Sequence, residues 1–107
     1  MSEVGYARGQ VWWTETPSMS RRPSVIVTRA ASVAVVPRLL VAPLTTRPRG
    51  LATEVTLSTS DGLPRECVAQ LDTPELVNRA YLVDLITTLS HERMLEICAA
   101  LRAATGC

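Results

Sequence analysis

Lysine and phenylalanine are both missing from this 107-residue chain. Without phenylalanine, and with only two Trp and two Tyr, a core has to be built from Val, Leu, Ile and Ala. Without lysine, all 11 basic groups are arginines. A GC-rich bacterial genome produces such a bias. Its chemical consequence is a set of flat, permanently charged forks that match phosphate oxygens in pairs, which a lysine point charge does not. The single histidine, His91, excludes a His-rich metal site. The three cysteines, Cys67, Cys98 and Cys107, are an odd number without metal-like spacing, so no metal and no cofactor is expected. A reduced, cytoplasmic protein is the expectation. No apolar stretch suits a signal peptide or is long enough to span a bilayer, so no membrane partner is expected.

What is present reads as one domain over residues 1–107, with 1–7 as a flexible N-terminus. Hydrophobic residues make up 47%, enough to argue against disorder. Val11-Trp12-Trp13 reads as a strand, with the two indoles pointing to opposite faces. One fills the core; the other needs a surface, a partner or a stacked base. Residues 16–23 hold Pro, Ser and Arg and read as a loop, because Pro23 can open a strand but does not suit its middle. Strands follow at 24–28, 35–44 and 51–59. In the last, Thr53, Val55, Leu57 and Thr59 share one face. Asp61-Gly62-Leu63-Pro64 is a turn, and 66–71 and 81–88 are further strands. The period then changes. Met94, Ile97, Cys98, Leu101 and Thr105 fall at helical spacing over 91–104, with Ser90 as N-cap and Gly106 as stop. Short strands with frequent turns and one terminal helix predict a mostly β fold, a small, bent antiparallel barrel.

Four stretches, in this order and spacing, carry a resemblance to a known family. They are Arg8-Gly9-Gln10-Val11-Trp12-Trp13; Arg22-Pro23 before Val25-Ile26-Val27; Val41-Ala42-Pro43-Leu44-Thr45-Thr46 with Arg49-Gly50-Leu51 and Thr53-Glu54-Val55; and Gly62-Leu63-Pro64-Arg65 through Val68 and Asp72 to Leu89-Ser90. Each piece is common alone. Together, from Arg8 to Gly106, the chain resembles the MazF/PemK toxins of type II toxin–antitoxin systems. The resemblance implies an SH3-like barrel shared with the CcdB fold, a homodimer, and an acidic antitoxin as partner. It also implies metal-independent cleavage of single-stranded RNA, in which the ribose 2′-hydroxyl attacks the adjacent phosphate.

That reaction needs a proton acceptor, a stabiliser for the crowded phosphorane and a donor to the leaving oxygen. By the resemblance, Arg22 and Thr45 are the catalytic candidates. Arg22 is the stabiliser and not a base, since a guanidinium stays protonated. Thr45 donates its hydroxyl; a plain turn-capping role is its alternative. Arg21, Thr46, Arg47 and Arg49 are candidates for RNA phosphates, and Asp72 and Thr73 for base edges. Solvated loop charges are the competing reading for the arginines, and a Pro74 turn for Asp72-Thr73. His91 is set aside, being at a helix start where the resemblance places nothing catalytic. The first loop is shorter than in many family members and offers no matching glutamate, so the proton acceptor has no assignment. Two other readings stay open: a CcdB-like poison of DNA gyrase on the same fold, and an inactive homologue that only sequesters antitoxin.

Overall fold

The computed structural model describes residues 5–106. Part of the 1–7 segment and Cys107 therefore lie outside the described residues. The elements are β1 (Gln10–Thr16), β2 (Met19–Ile26), β3 (Arg38–Thr45), β4 (Glu54–Leu57), β5 (Cys67–Gln70), β6 (Glu75–Asn78), β7 (Leu82–Thr88) and α1 (His91–Thr105). The strands pair antiparallel in the order β4-β5-β3-β2-β1-β7, with β6 joined to β3 off this path. This is the expected mostly β fold with a C-terminal helix.

Strand alternation sends successive side chains into two clusters. Val11, Val25, Val27, Ala42, Leu44, Val55 and Leu57 build the larger one, and Ile97 and Ala100 of α1 cover it. Trp12, Ile26, Leu39, Val41 and Val77 build the smaller one on the opposite face. Trp12 is buried there, its Nε1 donating to Gln10 Oε1 at 2.9 Å. Tyr6 lies 4.8 Å from its ring and donates to the Leu82 carbonyl, so this part of the N-terminal segment is anchored. The helix begins and ends as its sequence signals say: Ser90 Oγ accepts from the Arg93 N–H, and Gly106 is left-handed.

No hydrogen bonding joins β4 to β7 in the sheet path, so the barrel has a seam. Side chains reach across it. Thr87 Oγ1 on β7 donates to the Asp61 carbonyl at 3.0 Å, and Arg93 Nε on α1 meets Asp61 Oδ1 at 2.9 Å. Asp61 also accepts from the Ser58 N–H while Ser58 caps the short 3-10 turn Thr59–Asp61. The Arg93 bond, with that N–H, holds the Asp61 carboxyl below its ordinary range. Gly62 follows at φ +91°, and a Cβ there would collide with the Thr87 hydroxyl.

Four local expectations change. The 16–23 loop is a tight hairpin: β2 begins at Met19, and Pro23 sits within it opposite Trp13. Pairing of β2 with β3 starts only at Ser24, so the missing N–H of Pro23 falls beyond that ladder. Next, the 35–44 strand starts at Arg38, and its Pro43 falls in a gap. Val41 is the last residue paired with β6, and Leu44 the first paired with β5. The 51–59 strand is shorter than expected, with Val55 and Leu57 buried as the alternation requires. Finally, Glu75–Asn78 is a strand the sequence reading did not contain.

Candidate active site

Pairs between β2 and β3 run Ile26↔Val41, Val25↔Ala42 and Ser24↔Pro43. Continued by two residues, the same register sets Arg22 opposite Thr45. Pairing of the two strands ends at Ser24↔Pro43, and residues of both strands and of the turn before β5 line a groove of about 600 Å³. Arg22, Thr45, Arg21 and Thr46 all line it, as do Trp13, Arg65, Cys67 and Gln70. Three guanidiniums contribute to the lining and no carboxylate does. Three guanidiniums thus face one concave strip, with Arg21 and Arg22 ion-paired to carboxylates outside the lining and Arg65 without an ion pair among the described residues.

Thr45 Oγ1 accepts from the Arg47 N–H at 3.2 Å. The turn-capping role is therefore real, and it leaves the hydroxyl hydrogen to donate elsewhere. Arg22 is half-buried, and its Nη2 donates to Glu75 Oε1 on β6. Arg21 is held by Glu15 at 2.9 Å and Asp84 at 2.8 Å, bonds that raise its already high pKa, and its guanidinium lies 5.0 Å from the Trp13 ring centre. That stacking fixes Trp13 as a half-exposed wall of the groove.

The remaining candidates lie outside the groove lining. Arg47 is exposed, and among the described residues its side chain has no ion pair. Arg49 is committed to Asp72 at 2.8 Å and Glu54 at 3.1 Å, and these bonds raise its pKa. Asp72 is thereby occupied by a protein partner, and Thr73 is exposed beside it. The loop that carries Thr46, Arg47 and Arg49 is organised by Glu54. One oxygen of its buried carboxylate accepts from the N–H groups of Arg49 at 2.9 Å and Gly50 at 3.0 Å. Burial pushes this carboxyl up, but the Arg49 and Leu51 N–H groups and the Arg49 guanidinium bring it below its ordinary range.

The model of the PemK-like, MazF-like toxins of type II toxin–antitoxin systems matches residues 7–105. The chain belongs to this family. It is 46% identical over 102 residues to the probable endoribonuclease MazF5 of Mycobacterium tuberculosis strain H37Rv, covering 94% of both chains. Among solved structures it is similar to a mycobacterial endoribonuclease in complex with its cognate antitoxin, with a TM-score of 0.86 at 26% identity over 95% of this chain and 96% of that one. It is also similar to the M. tuberculosis toxin MazF-mt6, with a TM-score of 0.83 at 27% identity over 91% and 96%.

In this MazF-type toxin, two residues join the site that the sequence reading left without a role. Arg65 lines the groove, and among the described residues it has no ion pair. Its signal was present, since it ends the Gly62-Leu63-Pro64-Arg65 stretch, but a turn arginine alone carries no direction. Glu75, the partner of Arg22, followed the Asp72–Pro74 turn and went unread because β6 was not expected. Chemically, the groove offers guanidiniums to phosphoryl oxygens, a hydroxyl donor at Thr45 and an indole face at Trp13. No group of three or more His, Cys, Asp and Glu among the described residues could hold a metal ion.

Proposed function

We propose that this toxin is a metal-independent endoribonuclease whose reacting phosphate sits between Arg22 and Thr45. Endoribonuclease activity follows from membership of the family and from the identity to MazF5. The observation that supports the site is that Arg22 and Thr45, from different strands, line one groove with cationic side chains and no carboxylate. The 2′-oxygen attacks phosphorus, the bond to the 5′-oxygen breaks, and the products carry a 2′,3′-cyclic phosphate and a 5′-hydroxyl. The Arg22 fork neutralises charge that grows on the phosphoryl oxygens, and Thr45 donates a hydrogen bond on the side of the leaving oxygen. Arg21, Arg65, Thr46 and Arg47 receive flanking phosphates, and Trp13 offers a stacking face for a base. Asp72 and Thr73 read base edges only after Asp72 leaves Arg49.

The partners follow the same reading: a cognate acidic antitoxin laid over the cationic groove, a second copy of the chain, and single-stranded RNA in the cytoplasm. The test is direct. The purified chain cuts a long RNA in the presence of EDTA, and Arg22→Ala lowers the rate about 1,000-fold with an unchanged melting temperature. Uncut RNA with the wild-type chain overturns the reading.

A further inference from the structure

We propose that Glu75 is the proton acceptor of the reaction, taking the 2′-hydroxyl proton from an oxygen-sized cavity behind Arg22. This rests on the endoribonuclease reading above. Among the described residues, several carboxylates meet arginines. Glu15 and Asp84 serve Arg21, Glu54 and Asp72 serve Arg49, and Asp61 and Glu96 serve Arg93. Glu75 serves Arg22, which lines both the groove and the smaller cavity. A guanidinium has five donors, so Arg22 can hold a phosphoryl oxygen while it still holds Glu75. A phosphate seated on Arg22 therefore lies one guanidinium away from a carboxylate.

The cavity supports the same assignment. It measures about 10 Å³, room for one water-sized group. Thr14, Thr16, Ser20 and Ser24 line it together with Arg22 and Glu75. Thr16 Oγ1 is buried there and has no hydrogen-bond partner among the described residues. An unpaired buried hydroxyl is costly, and a ribose hydroxyl entering this slot satisfies it.

Glu75 stands opposite Val41 on β3, and Thr45 lies four residues further along that strand, about 13 Å by strand rise. Extended by two residues, the β2–β3 register puts Arg22 level with Thr45, and its side chain reaches back to Glu75. The Arg22 guanidinium thus links the carboxylate to the groove that takes the phosphate. The step balances: the O2′ proton passes to the Glu75 carboxylate, the O2′–P bond forms, and the P–O5′ bond breaks. The departing 5′-oxygen takes a proton from solvent at the half-exposed Thr45 end.

Glu75→Gln keeps an acceptor for Arg22 but cannot take a proton. We expect kcat to fall about 100-fold or more. Binding of an RNA with a 2′-deoxy sugar at the cleaved position should change by less than about threefold. The pH–rate profile of the wild type should have an acidic limb that the variant lacks. Glu75→Asp keeps the charge and should recover part of the rate. Glu66, exposed beside Thr46 in a neighbouring hollow, is the control carboxylate. Three results overturn the proposal while leaving Arg22 dependence intact: an unchanged rate and pH profile in Glu75→Gln, loss of RNA binding in step with rate, or transfer of the acidic limb to Glu66→Gln. Failure of the wild-type chain to cut any RNA instead removes the reading on which the proposal rests.

Discussion

Two segments present arginines in neighbouring pairs, and they are built on opposite plans. On β2, Arg21 and Arg22 are placed by ladder register: Thr14 stands opposite Arg22, and the hairpin leaves little freedom. Between β3 and β4, Arg47 and Arg49 stand on a loop without regular structure, and one buried glutamate, Glu54, gathers its N–H groups. Within each pair one arginine is bound by two carboxylates, Arg21 on the strand and Arg49 in the loop. In the loop the other, Arg47, has no ion pair among the described residues; on the strand the other, Arg22, lines the groove and holds Glu75. The clamped Arg21 and Arg49 organise protein, and Arg47 has donors to offer a phosphate. Neighbouring arginines thus take different partners, which charge counting cannot show.

The contrast can be broken at its weakest post. Glu54→Ala removes the acceptor that shapes the loop, while the β2 arginines stay where the ladder puts them. RNA cleavage should fall about tenfold through misplaced loop groups, and hydrogen exchange should speed up at Arg49, Gly50 and Leu51 only. Equal loosening of the β1–β2 hairpin would refute the separate plans. A smaller effect sharpens the difference inside the loop. Arg47→Ala should reduce the salt slope of RNA binding by about 0.7, the loss of one single-strand phosphate contact, whereas Arg49→Ala should leave it unchanged. The smallest effect is on pH. Because the folded Glu54 carboxyl lies below its ordinary 4.5, its stabilisation is complete above that value and is lost as pH falls through the folded pKa. Exchange protection of the loop should therefore fail on acidification below 4.5, and Glu54→Gln should remove most of that pH dependence.

Features with a local signal were legible in the sequence. Ser90 and Gly106 bounded the helix because capping chemistry is short-range. Val55 and Leu57 declared their buried face by alternation. Arg22 and Thr45 were found through the resemblance and not through chemistry, since Arg-Pro and Thr-Thr pairs carry no direction of their own. The misread parts depended on tertiary context. Pro23 was read as the end of a loop, yet it stands within β2 where the ladder to β3 ends. Glu75–Asn78 is short and begins after Pro74, so only pairing with β3 makes it a strand. Its loss from the sequence reading also hid a carboxylate bonded to Arg22.

The divided edge of β3 makes one strand answer to two neighbours. One stretch of that strand, Arg38 to Val41, is bound to β6, and the next, from Leu44, to β5. Thr45 is therefore anchored by a different partner from the stretch that faces Glu75, and a change that loosens β6 leaves the backbone bonds that seat the Thr45 hydroxyl untouched.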